Sequence, residues 1–206
     1  MEKQYFKIIG LLVIFGLFSG CCSWNYDKAD FEFTQKELHL LGVYNANDTI
    51  YFQSNLGDID TITVLNISEE KEKGNKCFIS KPPFHGRHIK IKHLPYDRWT
   101  GTSQVESGER KTTYQVLISI SKFPLQKRTY YSIAFKGFVA SGQSVFGEFK
   151  KECVIGGKTL SNCYKVTHSY PERIDKADDI EIVYWTSKNG LIAYTSKSGE
   201  TWFLKE

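Results

Sequence analysis

The chain has 206 residues, 41% of them hydrophobic and 24% charged, with a formal net charge of +4. That composition is globular rather than disordered, and so mild a basic excess lacks the dense cationic footprint of a nucleic-acid binder, so no nucleic-acid partner is expected. Aromatic residues at 15%, with Ile, Val and Thr filling the recognisable segments, favour strands over helices.

Chain order begins with a leader. Lys3 and Lys7 form a positive head, and Ile8 to Phe18 form an apolar and glycine stretch of eleven residues, within the length of a signal-peptide core. The run is too short to cross a bilayer, which takes roughly 20 apolar residues. A conventional signal ends with small residues at the first and third positions before the cut. Gly20 suits the first and Phe18 blocks the third.

Phe18-Ser19-Gly20-Cys21 resembles a bacterial lipobox, with Phe18 standing where Leu is usual. The resemblance implies a signal peptide over residues 1–20, cleavage between Gly20 and Cys21, a diacylglyceryl group on the Cys21 thiol and a fatty acyl chain such as palmitate on the new amine. An uncleaved N-terminal helix and a conventional secreted signal are the other readings of these residues. Each buried methylene contributes about 0.8 kcal/mol, so two or more acyl chains anchor durably without a membrane-spanning helix. Resemblance to the sorting rules of Gram-negative lipoproteins, given that Asp does not follow Cys21, implies the outer membrane with the body facing the periplasm. Residues 21–206 then form one lipidated all-β domain, with an internal seam or long loop at 99–113.

In the body, Thr49 to Phe52 and Ile59 to Ile67 alternate about Asn55-Leu56-Gly57-Asp58, which predicts a hairpin. The stretch from His85 to His93 reads as a solvated, partly basic edge strand, with His88, Lys90 and Lys92 on one side and Ile89 and Ile91 on the other. Its three histidines invite zinc, but His88 and His93 are an odd number apart and point to opposite faces of a strand, so no metal is assigned. Tyr114, Val116, Ile118 and Ile120, then Tyr131, Ile133 and Phe135, line one face of two half-buried antiparallel strands. Helical periodicity is convincing nowhere, and its best candidate is Glu172 to Asp179, for a turn or two at most.

Cys153 and Cys163 flank Gly156-Gly157. If those glycines open a hairpin loop, the cysteines face each other as a cross-strand disulfide, which an envelope compartment allows; the other reading is two separate buried thiols. Gly157-Lys158-Thr159 looks like the tail of a P-loop, but Glu152 stands where that motif needs glycine, and no helix follows. The acidic cluster Asp175, Asp178, Asp179 and Glu181 lacks the spacing of a calcium loop, and Ser144 misses the Gly-x-Ser-x-Gly elbow by one residue. No catalytic residue, metal ligand or cofactor is assigned.

The end of the chain is the clearest passage. Ile180 to Trp185, Leu191 to Tyr194 and Thr201 to Leu204, separated by Asn189-Gly190 and Ser198-Gly199, predict a three-stranded meander with a tight Asn-Gly turn and with Trp185 and Trp202 capping the core. This order of an aromatic strand, Gly-Leu-Ile-x-Tyr and Gly-x-x-Trp resembles the closing module of envelope lipoproteins of the Bacteroidota. That resemblance implies lineage and architecture and carries no activity. The expected fold is all-β: a mainly antiparallel sandwich or partly open barrel of nine to twelve strands. The expected function is a non-enzymatic binding or scaffolding role, attached to the membrane by its lipid and facing an envelope protein partner. The alternatives are a carrier of a lipid or apolar ligand on a curved sheet, and a glycan-binding module using an exposed ring such as Trp24 or Trp99.

Overall fold

The computed structural model describes residues 27–41, 44–73, 82–94 and 115–205. The 1–20 leader, Cys21, Cys22, Trp24, Cys77, Trp99 and the 99–113 seam lie outside the described residues. Two short helices, α1 (Lys28–Phe31) and α2 (Gln35–Leu40), precede eleven strands. These are β1 (Thr49–Ser54), β2 (Ile59–Glu72), β3 (Phe84–Leu94), β4 (Gln115–Phe123), β5 (Arg128–Phe135) and β6 (Phe138–Gly142), then β7 (Phe149–Ile155), β8 (Lys158–Thr167), β9 (Ile180–Thr186), β10 (Gly190–Ser196) and β11 (Thr201–Leu204).

All eleven strands form one sheet in the order β6-β5-β4-β3-β2-β1-β11-β10-β9-β8-β7. Every pairing is antiparallel, so the chain is all-β. Sheet neighbours are chain neighbours except at one place, where β1 meets β11 with Phe52 opposite Leu204, and the chain neighbours β6 and β7 form the two edges. Closing a loop costs more entropy as the loop lengthens, and β1 with β11 is the pairing most separated in sequence.

The sheet curls into a partly open barrel. Its inner face buries Phe52, Ile62, Val64, Ile118, Ile120, Ile133, Phe135, Phe138, Val183, Trp185 and Tyr194 in one core. At the seam the backbone N–H of Ser169, just past β8, donates to the Val139 carbonyl of β6 at 2.8 Å, and Ser141 N–H donates to the Ser169 hydroxyl at 2.9 Å. A few such bonds replace a full ladder. The 143–148 loop fills the rest of the seam with Phe146, whose ring meets Tyr131, Tyr164 and Trp185 at 5.3, 5.4 and 6.0 Å.

The helices plug the end of the barrel that carries the β4–β5 and β9–β10 turns. Thr34 starts α2 with a capping box: its hydroxyl accepts from Glu37 N–H, and the Glu37 carboxylate accepts from Thr34 N–H. Glu37 also accepts from the Thr129 hydroxyl at 2.8 Å and pairs with buried Lys122 at 3.1 Å. Trp185 Nε1 donates to the Leu40 carbonyl at 2.8 Å, and Leu191 N–H donates to the Tyr44 hydroxyl at 2.7 Å. Among the described residues, no helix is long and apolar enough to cross a membrane.

The structure corrects four expectations. First, β3 is an interior strand between β2 and β4, not an edge. A one-layer sheet has a solvated outer face along its interior strands too, so alternating basic residues do not mark an edge. Second, Trp185 lies fully buried in the barrel and does not cap it, while Trp202 is half-buried beside Tyr194. Third, the Asn-Gly reversal is longer than a two-residue turn: Thr186 pairs with Gly190 and three residues intervene. Gly190, left-handed at φ 71°, opens β10 because a β-carbon there would overlap the Tyr44 hydroxyl. Fourth, among the described residues two short helices, α1 and α2, form before β1, where no helical period is visible in the sequence, while the Glu172–Asp179 stretch gives a single 3-10 turn at Pro171–Arg173.

Candidate binding groove

The β7–β8 hairpin turns at Gly156-Gly157, both with positive φ, which absorbs the P-loop-like triplet into a turn and the strand after it. Lys150 pairs with Cys163, and Cys153 pairs with Leu160, so the two cysteines are not directly opposed. Between these pairs Lys151 and Asn162 drop out of the register, and Asn162 is left-handed at φ 54°. The ladder kinks there, and the Cα atoms of Cys153 and Cys163 come to 6.7 Å, joined by a disulfide.

Beyond the kink the hairpin folds back over the outer face of the terminal meander. A β-carbon at Gly156 would touch the Phe203 ring at 3.3 Å and Thr201 at 3.6 Å, and Lys158 Nζ stands 4.4 Å from the Phe203 ring centre. The bridged cysteines, Ile155, Tyr184, Ile192, Ala193 and Phe203 form a second, smaller core on this outer face. Among the described residues the sheet is therefore two-layered where this hairpin lies. This accounts for β10, whose first five residues are all buried: its outer face lies under the hairpin.

The fold-back leaves a groove of 610 Å³ between the hairpin and the meander, with Ile192 and Phe203 as an apolar floor, Gln53 to Asn55 at one wall and Lys158 to Ser161 at the other. β8 pairs with β9 only over Tyr164–Thr167, so among the described residues no strand pairs with the other side of Lys158–Ser161. Ile155 and Lys158 close the two-residue turn as a hydrogen-bonded pair. Alternation then makes Val154 with Thr159, and Glu152 with Ser161, the pairs that aim their N–H and C=O groups away from each other. Thr159 and Ser161 thus direct backbone donors and acceptors out of the hairpin on the groove side. Lys158 and Lys205 are the charged residues in the lining. The other edge of the hairpin, along β7, carries Lys150 and Lys151, residues that discourage sheet-to-sheet pairing.

Other sequence candidates resolve into structural roles. His85 is buried: its Nδ1 donates to the Phe31 carbonyl at 2.8 Å, its Nε2 meets Glu69 at 2.7 Å, and the Phe33 ring lies 4.1 Å away. Among the described residues no group of three or more His, Cys, Asp or Glu is placed to hold a metal. In the acidic cluster the Asp179 carboxylate accepts from the N–H groups of Asp175 and Lys176, tying a loop. Sequence reading missed one buried polar knot: Asp60 accepts the Tyr194 hydroxyl at 2.6 Å and pairs with Lys136 at 2.9 Å. The groove does not open onto it. Its acid and base converge inside the fold and serve to hold the β5–β6 turn against β2 and β10.

The features that separate the binding alternatives are also placed. The barrel interior is filled by the side chains of its own core. Tyr194 and Trp202 stack at 5.7 Å with an 11° interplanar angle, but Tyr194 is buried, so the pair offers no open platform. No protein family, curated protein or solved structure matches this chain.

Proposed function

We propose that the chain is a lipid-anchored, non-enzymatic protein of the cell envelope, related to Bacteroidota envelope lipoproteins, that holds an extended segment of a partner protein in the groove under the β7–β8 hairpin. The anchor rests on Phe18-Ser19-Gly20-Cys21. A disulfide between Cys153 and Cys163 suits an oxidising compartment such as the periplasm. The binding role rests on a single observation, the unpaired Thr159 and Ser161 edge that lines a groove with an apolar floor. An added strand receives main-chain hydrogen bonds from such an edge, and alternate side chains find the pockets beneath. Lys158 and Lys205 favour a segment that carries carboxylates.

Selection of a displayed random heptapeptide library on the purified protein tests this. Enriched peptides should shift the amide resonances of Lys158–Ser161 and lose binding in Thr159→Pro. That change removes an outward donor and leaves the hairpin ladder intact. Failure to enrich any peptide, or binding indifferent to Thr159→Pro, rejects the groove as the site.

A further inference from the structure

We infer that the plugged end of the barrel rests directly on the phospholipid surface, through a rim formed by Phe84, Phe123, Leu125, Arg128 and Tyr130. This inference rests on the lipid-anchor reading of Cys21 and adds to it a face and an orientation. Asp27 lies six residues after Cys21, so the intervening chain reaches at most about 20 Å when fully extended. From there α1 packs against β4 and the chain is held to the barrel within a few residues. Ala29 N–H donates to the Asp27 carboxylate, the Phe31 carbonyl takes His85, and the Glu32 carbonyl takes Lys122 Nζ. The tether therefore enters at the end where β2, β3 and β4 present Lys71, His85 and Lys122 side by side. β5, eight residues long, spans about 27 Å from this end to the other, so the far end lies beyond the reach of the tether.

The rim that the tether brings down has an interfacial character. On the outer face the Phe84 and Phe123 rings are 5.5 Å apart, and Phe123 meets Tyr130 at 5.5 Å. Leu125, 37% exposed, projects from the 3-10 turn that joins β4 to β5, next to exposed Lys127 and Arg128. Arg128 Nη1 donates to the Tyr130 hydroxyl at 3.5 Å, which leaves the apolar stem of one and the ring of the other free to enter the headgroup layer. Glu69, Glu70 and Glu72 share this end with Lys71 and Lys73, so the charge is mixed. Contact then depends on aromatic and aliphatic insertion and needs no anionic lipid.

The test uses the mature full-length protein purified from the envelope, with Cys22 and Cys77 replaced by serine, in phosphatidylcholine vesicles that carry a nitroxide-labelled lipid. A fluorophore is attached at Leu125→Cys or, at the opposite end, at Leu56→Cys, where the native side chain is 73% exposed in the β1–β2 turn. Intact mass of the same samples reports the acyl chains on Cys21. The Leu125 fluorophore should be quenched several-fold more than the Leu56 one, and phosphatidylglycerol should not be required. Equal quenching, or stronger quenching at Leu56, with the acyl mass present overturns the docked rim and leaves the anchor standing. Absence of the acyl mass overturns both.

Discussion

At Gly190 the backbone stands at φ 71° and the Tyr44 hydroxyl occupies the space of a β-carbon. Gly190→Ala should therefore combine left-handed strain of about 1 kcal/mol with displacement of Tyr44 from Leu191 N–H, lowering unfolding free energy in urea by about 2–4 kcal/mol. Glu37 is a second sensitive residue. Burial pushes its carboxyl pKa up, but hydrogen bonds from the Thr34 backbone and hydroxyl, Lys122 and Thr129 more than offset this and hold it below the ordinary value of 4.5. Glu32 is lowered too, chiefly by its hydrogen bond from Lys71. A carboxyl whose folded pKa is depressed stabilises the fold above its unfolded pKa, and that contribution is lost as pH falls through the folded pKa. Urea melts should thus lose stability on acidification below about pH 4.5, and Glu37→Ala should flatten that acid limb. The same change removes the Glu37 half of the α2 capping box and leaves Lys122 without its carboxylate, so it should cost about 2–4 kcal/mol at neutral pH.

Among the elements, those legible in the sequence are the ones whose side chains alternate against one core. Ile62 and Val64 in β2, and Ile133 and Phe135 in β5, are buried as period-two positions, and the terminal meander follows its turn residues. Helix α2 escaped because six residues are too few to display a helical period, although the capping box of Thr34 and Glu37 stood in the sequence as a start signal. The position of β3 escaped because a solvated face is common to interior and edge strands of a single layer. The groove escaped for another reason: it depends on a kink at Asn162 that folds a hairpin onto the meander, and nothing in Cys153 to Cys163 announces the direction of that fold. The disulfide secures this element. Its reduction should cost about 2–3 kcal/mol by the entropy of a short loop. Amide exchange should then accelerate in β7 and in Lys158–Ser161 while β10 stays protected on its inner side. Unchanged exchange in the hairpin after reduction would show that its fold-back does not depend on the bridge.

For the whole molecule, the barrel carries its two distinctive features apart, one at an end and one on a side. The helices mark one end, the outer-face groove lies along the terminal meander, and among the described residues the pairing of β1 with β11 is the one ladder that joins the two halves of the sheet. An acylated first residue would fix the body at the membrane and leave the groove open to the side. The proposed place at the membrane depends on that acylation. Intact mass of the protein isolated from the envelope fraction tests it most directly. The account predicts a polypeptide that starts at Cys21 and carries the added mass of a diacylglyceryl group and an amide-linked fatty acid, both lost in Cys21→Ala. An unacylated polypeptide with a different first residue would contradict it.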